Sequence, residues 1–226
     1  MTFTNQNISG IKNLPKTLSI QPYLDQSRNW PTNGRHLLAH FDDEAVTVYQ
    51  AYNPKIASYA VKHQKFGGEG FKFGRMTWIK PSFLWMNYRS GWNTKPNQER
   101  TLAIRITHEA FCRIVTEAVE STYDPNSYKS RADWEKRKND GEVRVQWDPD
   151  YTPSLQPEKL ERRAIQLGVR GKTMETFATK WIVSIEDITD FVVEMRVRLE
   201  QAENKKDFSS IWIPKQTIYH LPGTTT

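Results

Sequence analysis

A single α+β domain, with a mixed, mostly antiparallel sheet and flanking helices, is the fold this sequence predicts. Three features lead to it. Stretches that alternate with period two are interspersed with stretches whose apolar residues recur at helical spacing. Few of the strands are joined by a helix long enough for a parallel crossover. No linker long enough to separate two domains interrupts the pattern, and no internal repeat is visible.

The elements follow in order. Residues 1 to 30 are polar, with few periodic apolar positions, and read as an arm that docks on the body; the globular domain is expected over 31–213 and a tail over 214–226. Arg35 to Phe41 alternates as a strand. Asp42-Asp43-Glu44 makes a turn, and Ala45 to Tyr52 is a strand rich in β-branched and aromatic residues. Asn53-Pro54 starts a helix, Asn as cap and Pro in the first turn, with Ile56, Ala57, Ala60 and Val61 on one face. Gly67-Gly68-Glu69-Gly70 is a loop. Arg75 to Trp92, full of aromatic rings, predicts strand, turn, strand, and 93–99 a turn-rich connection. Thr101 to Ile106 alternates as a strand, and Thr107 caps a helix carrying Phe111, Ile114 and Val115. Ser121 to Gly141 reads as an exposed insertion with helix near Trp134. Strands are expected at Val143 to Trp147, ended by Asp148-Pro149, and at Arg163 to Arg170. A helix over 174–181, a strand over 182–185 and a helix over 190–201 complete the body, and Thr224-Thr225-Thr226 predicts a frayed end.

Composition narrows the function. The 226 residues are 37% hydrophobic and 26% charged, which describes a globular chain with ample core. Net charge is +6 and the pI about 9.3, a balance that favours a polyanionic partner, either a nucleotide or nucleic acid. No apolar run reaches the length of a membrane span, and the N-terminus lacks a signal-peptide core, so a cytoplasmic protein is expected, with the nucleus as the alternative. The same lack of a secretory route removes meaning from the glycosylation pattern Asn7-Ile8-Ser9. One cysteine, Cys112, excludes an internal disulfide framework, and its helical, apolar neighbourhood reads as core packing.

Several motifs have a plain reading. His36 and His40 lie on one face of a strand, about 13 Å apart, too far for one ion; no metal is expected. Lys138-Asn139-Asp140-Gly141 spells the Lys-x-Asp-Gly signature of lysyl-nucleotide enzymes, but its solvated setting makes it a turn into the next strand. The glycines at 67, 68, 70 and 74 are not followed by a Gly-Lys-Ser/Thr, and read as a connector or lid.

The run Arg75 to Trp92 is different. It holds Trp78, Trp85 and Trp92 beside Lys80, Arg89 and Ser90, a mixture that suits a partly buried wall offering flat rings and fixed positive charge to an anionic, ring-bearing ligand. Polar residues stand at strand ends elsewhere: Tyr49-Gln50-Ala51-Tyr52-Asn53, Lys95 to Arg100, Gln146-Trp147-Asp148-Pro149, and Gln166 with Arg170. Together they predict one pocket.

These same segments, with Arg163-Ala164-Ile165-Gln166-Leu167-Gly168-Val169-Arg170-Gly171, resemble the domain-of-unknown-function family 4291 over about residues 33 to 200. That resemblance implies no activity. A more distant likeness is to ADP-ribosyltransferases. A strand ending in Tyr-Gln followed by Asn-Pro and a helix is similar to the opening of some of these enzymes, and Arg89-Ser90 is similar to a block of their DNA-modifying branch. The likeness implies NAD as cofactor and a late glutamate among Glu161, Glu175, Glu186 and Glu194. Gln50 stands where His or Arg is expected, and no Glu-x-Glu occurs.

The expected ligand site therefore comprises Tyr49, Asn53, Trp78, Lys80, Ser82, Trp85, Tyr88, Arg89, Ser90, Trp92, Lys95, Arg100, Gln146, Gln166 and Arg170, with Gln50, Glu99 and Asp148 as the catalytic candidates. The leading expectation is a protein that binds a nucleotide or other phosphate-bearing ligand, in its concrete form an ADP-ribosyltransferase-like enzyme. The alternatives are a single-stranded nucleic-acid binder, with aromatics stacking bases, and a purely structural core.

Overall fold

In the computed structural model, residues 10–222 are described; Asn7-Ile8-Ser9 and the final threonines lie outside them. In chain order the first half comprises β1 (Ile20–Pro22), α1 (Tyr23–Ser27), β2 (Gly34–Arg35), β3 (Leu38–Phe41), β4 (Ala45–Tyr52), α2 (Pro54–His63), β5 (Thr77–Ile79), α3 (Phe83–Ser90), β6 (Arg100–Thr107) and α4 (His108–Thr116). The second half comprises β7 (Val119–Glu120), α5 (Arg131–Asp140), β8 (Val143–Tyr151), β9 (Lys159–Val169), α6 (Gly171–Thr179), β10 (Ile182–Asp187), α7 (Thr189–Gln201), β11 (Trp212–Pro214) and β12 (Thr217–Ile218).

Two sheets carry the fold. One has the order β10-β6-β4-β3-β12 and is antiparallel throughout. The other runs β2-β9-β8-β7, with β5 added along β9; its β2–β9 and β7–β8 pairs are parallel. The α+β class with mostly antiparallel pairing is thus the observed one. The sheets join at a seam where Tyr49 of β4 and Lys80, just past β5, exchange backbone hydrogen bonds of 2.8 and 3.2 Å.

Strand periodicity explains how the core divides. Val46 and Val48 of β4 point into the cluster between the sheets, with Ile104, Ile79, Ile165, Leu167 and Phe177. Tyr49 points the other way, into a second cluster with Phe83, Phe191, Met195 and Ile213. The helices start where short polar side chains accept orphan N–H groups: Asn53 from Ile56 N (3.0 Å), Ser82 from Trp85 N (3.2 Å), Thr107 from Ala110 N (3.2 Å) and Ser130 from Asp133 N (3.1 Å).

Three expectations about local structure are corrected. The aromatic run is not two strands: β5 ends at Ile79, and Ser82 caps helix α3. Aromatic composition favours a strand, but α3 is buried on two sides, with Phe83 against Tyr49 and Phe191, and Trp85 and Tyr88 against Tyr151. That packing overrides propensity. The strand expected at 35–41 is broken into β2 and β3, which belong to different sheets. β8 does not stop at Asp148-Pro149; it continues to Tyr151 through a register shift between Pro149 and Tyr151, the kind of irregularity at which a sheet accepts proline.

The segments read as arm and tail both pack on the body. β1 pairs with β11, β12 pairs with β3, and Tyr219 joins the core between the sheets. Glu186 accepts hydrogen bonds from the N–H groups of Lys16 and Thr17, and Glu194 from those of Lys12 and Asn13. Among the described residues no helix is long and apolar enough to cross a membrane.

Candidate functional site

Beside the seam, the C-terminal end of β4, the start of α2, β5 with the loop before it, one face of α3 and the 96–98 turn enclose a cleft of about 550 Å3. Each wall has a local cause. β4 carries Gln50 and Tyr52 out of the core on the same side as Val48. Gln50 is 3% exposed; its Nε2 donates to Thr77 Oγ1 (2.7 Å) and to the Trp78 carbonyl (3.2 Å). The carbonyl acceptor fixes the amide orientation and leaves Oε1 buried without a partner inside the protein. The Tyr52 hydroxyl lies 3.2 Å from Thr77 Oγ1, and burial pushes its pKa up to about 12.

Trp78 sits on β5 directly opposite Gly168 of β9. A Cβ at Gly168 would come within 2.6 Å of Met76 Sδ and 3.1 Å of the Trp78 ring, so glycine is what lets these side chains lie across the strand.

Lys80 follows on the same side as Trp78. It is 7% exposed, and its Nζ donates to the Trp78 carbonyl at 3.2 Å. Burial, reinforced by the Arg89 cation and opposed by Asp148, pulls the Lys80 pKa down to about 8. Arg89, on the last turn of α3, is exposed, with its guanidinium 6.0 Å from the Trp85 ring. Among the described residues, none of the ion pairs involves Lys80, Arg89 or Arg75. All three line the cleft.

Asp148 influences Lys80 from β8 without lining the cleft. Gln146 and Gln166 face each other across β8 and β9 and each donates one amide hydrogen to it, at 2.8 Å to Oδ1 and 2.7 Å to Oδ2. Alongside, Trp85, Tyr88 and Tyr151 form a stack, with the two tyrosine rings 3.8 Å apart.

Of the expected site residues, then, Gln50, Asn53, Trp78, Lys80 and Arg89 line one cleft. Asp148, Gln146, Gln166, Trp85 and Tyr88 form the adjoining polar and aromatic layer. The others lie elsewhere. Tyr49 is fully buried against Phe83, and Trp92 packs on the same ring. Ser82 is the α3 cap, and Ser90 donates to the Asn87 carbonyl in the last turn of that helix. Arg100 pairs with Asp187. Arg170 caps the end of α5 through the Asn139 and Gly141 carbonyls. Lys95 Nζ donates to the Arg89 carbonyl at 2.7 Å. Glu99 Oε1 accepts the Asn97 N–H at 2.8 Å, while its Oε2 is buried with no partner.

Of the late glutamates, Glu186 and Glu194 hold the N-terminal segment, and none of the four lines the cleft. His40 bridges Thr47 Oγ1 (3.1 Å) and Ser19 Oγ (3.3 Å). Of the lining residues, Ile56, Phe71, Lys72 and Met174 lie outside the segments that sequence reasoning assigned to the pocket, and Tyr52, Arg75, Met86 and Gln98 lie within those segments without having been picked as site residues. Only the alternation of β4, which puts Tyr52 on the side of Gln50, could have signalled one of them.

A sequence model of the family described as Domain of unknown function (DUF4291) matches residues 36–219. No curated protein matches the chain.

Proposed function

The chain belongs to the DUF4291 family, and we propose that it binds a nucleotide, or another phosphate-bearing ligand of that size, in the cleft beside the seam. The observation that carries this reading is the pair Lys80 and Arg89: both line the cleft without an ion pair, next to the exposed part of an indole, and Arg89 is near enough to disfavour the charge on Lys80. An anion entering there relieves the repulsion, whereas an empty structural role leaves it uncompensated. The volume falls within the range of about 300–1,000 Å3 usual for small-molecule sites. In this reading Arg89 and Arg75 hold the phosphate, Trp78 lies against a planar ring, and the unpaired Gln50 Oε1 accepts a hydrogen bond from a ring N–H.

Binding takes precedence over ADP-ribosyl transfer because the residues lining the cleft include no Asp or Glu to support a cationic sugar transition state. The limited volume of the cleft also favours a mononucleotide over a strand of nucleic acid. Isothermal titration with AMP, ADP, NAD and a short single-stranded oligonucleotide tests the reading. A mononucleotide or NAD should bind and quench tryptophan fluorescence, and Arg89→Ala or Trp78→Ala should weaken it about tenfold at unchanged stability. Heat only with the oligonucleotide, falling steeply with salt, would transfer the assignment to nucleic acid. No heat with any of them would remove it.

A further inference from the structure

We propose that Lys80 is a nucleophile that forms an imine with the carbonyl carbon of a phosphate-bearing aldehyde or ketone in the cleft. This rests on the reading of that cleft as a phosphate-ligand site.

Geometry makes the case. Lys80 lines the cleft, yet only 7% of it is exposed, and the single hydrogen bond of its Nζ within the protein goes to the Trp78 carbonyl. Once it gives up its proton, the amine keeps one N–H on the carbonyl and leaves its lone pair free. An ammonium would bring three N–H donors to a position where the protein supplies one acceptor and no ion-pairing carboxylate. Arg89 lies close enough for its charge to act against protonation, and burial acts the same way. An arginine at position 80 would stay charged in such a place; a lysine can give up its proton, which is the property a nucleophilic amine needs. The indole of Trp78 and the cations Arg89 and Arg75 offer a planar, phosphorylated molecule two holds beside the amine.

The step balances without an oxidant or reductant. The Nζ lone pair attacks the carbonyl carbon, and the C=O π pair moves to oxygen, which takes a proton. Nitrogen sheds one proton to give the carbinolamine, whose hydroxyl takes a proton from solvent and leaves as water while the nitrogen lone pair forms the protonated C=N. Asp148, which acts on Lys80 in favour of positive charge and is held by Gln146 and Gln166, would stabilise the protonated imine.

The probe is pyridoxal 5′-phosphate, which joins ring, aldehyde and phosphate. The full chain is incubated with it, reduced with borohydride and mapped by peptide mass, with pyridoxal as the phosphate-free control and AMP as competitor. The expected result is one predominant adduct, on Lys80. It should form about tenfold faster than on exposed Lys55 or Lys136 and than with pyridoxal, and it should be suppressed by AMP. Lys80→Arg should abolish it. The site is read on the unmodified chain, so the test stands even if a Lys80 variant misfolds. Labelling of exposed lysines with Lys80 untouched, while AMP still quenches fluorescence, overturns the imine and leaves the cleft reading intact. A Lys80 adduct indifferent to AMP and to the probe's phosphate overturns the phosphate-directed chemistry. Absence of both adduct and AMP binding overturns the two together.

Discussion

Lys80 also leaves a signature in the stability of the fold. Its pKa is about 8 in the folded chain against 10.5 ordinarily, with burial the larger cause and Arg89 the second. Between those values the unfolded chain binds more protons than the folded one, so this group makes stability rise with pH across the window from about 8 to 10.5. Below pH 8 both states are protonated and the full cost of the buried charge is present, roughly 3 kcal/mol. Lys80→Met should therefore be more stable than the parent at pH 7, and the gap should narrow steadily by pH 10. Urea unfolding of both proteins at the two pH values measures it; a gap that does not change with pH would mean the lysine is not perturbed. Gln50 shows what can and cannot be read one residue at a time. Its polar character at the end of an apolar strand was visible in the sequence, but the orphaned Oε1 depends on Thr77 and Trp78 consuming the other end of the amide.

At the scale of elements, the approach of β5 to β9 positions the ring in the cleft. Gly168 stands opposite Trp78, and no Cβ fits there without displacing Met76 or the indole. Gly168→Ala should cost about 1–3 kcal/mol by overpacking and should weaken binding of a ring-bearing ligand about tenfold. Thermal unfolding and titration calorimetry report the two effects separately, and unchanged affinity would show that Trp78 does not hold the ligand. Helix starts were legible because a cap is a local hydrogen bond: Asn53-Pro54 and Thr107 could be recognised from neighbouring residues alone. Helix α3 was not. Its rings resemble strand residues until Phe191 on one side and Tyr151 on the other supply the packing that holds them on a helix.

At the scale of the whole molecule, residues 10–19 and β11 close over the second core cluster, while Tyr219 near the C-terminal end packs into the first. Residues 10–19 are held largely by carboxylates. Burial pushes the Glu194 pKa up, but the N–H groups of Asn13 and Lys12 and the Arg198 guanidinium outweigh it and hold the group below its ordinary 4.5. A depressed carboxyl contributes stability that is complete above its unfolded pKa and is lost as pH falls through the folded one. Amide exchange at Lys12 and Asn13 should thus accelerate below about pH 4.5 beyond the intrinsic rate change, and Glu194→Gln should reproduce much of that loosening at pH 7. Equal protection in parent and variant would show that the carboxylate does not hold the segment.

By itself the sequence determined the α+β class, most element positions and the residue types of the cleft. These follow from periodicity, capping and composition, which act over a few neighbouring residues. Tertiary structure alone decided which of those residues meet. Register sets Gln146 opposite Gln166 so that both clamp Asp148, and the seam between Tyr49 and Lys80 brings β4 beside β5. It also sends Tyr49 and Trp92 into the core while leaving Trp78 at an opening. Strand pairing joins residues far apart in the chain, and shifting it by one residue turns every side chain to the opposite face, so no local pattern can specify it.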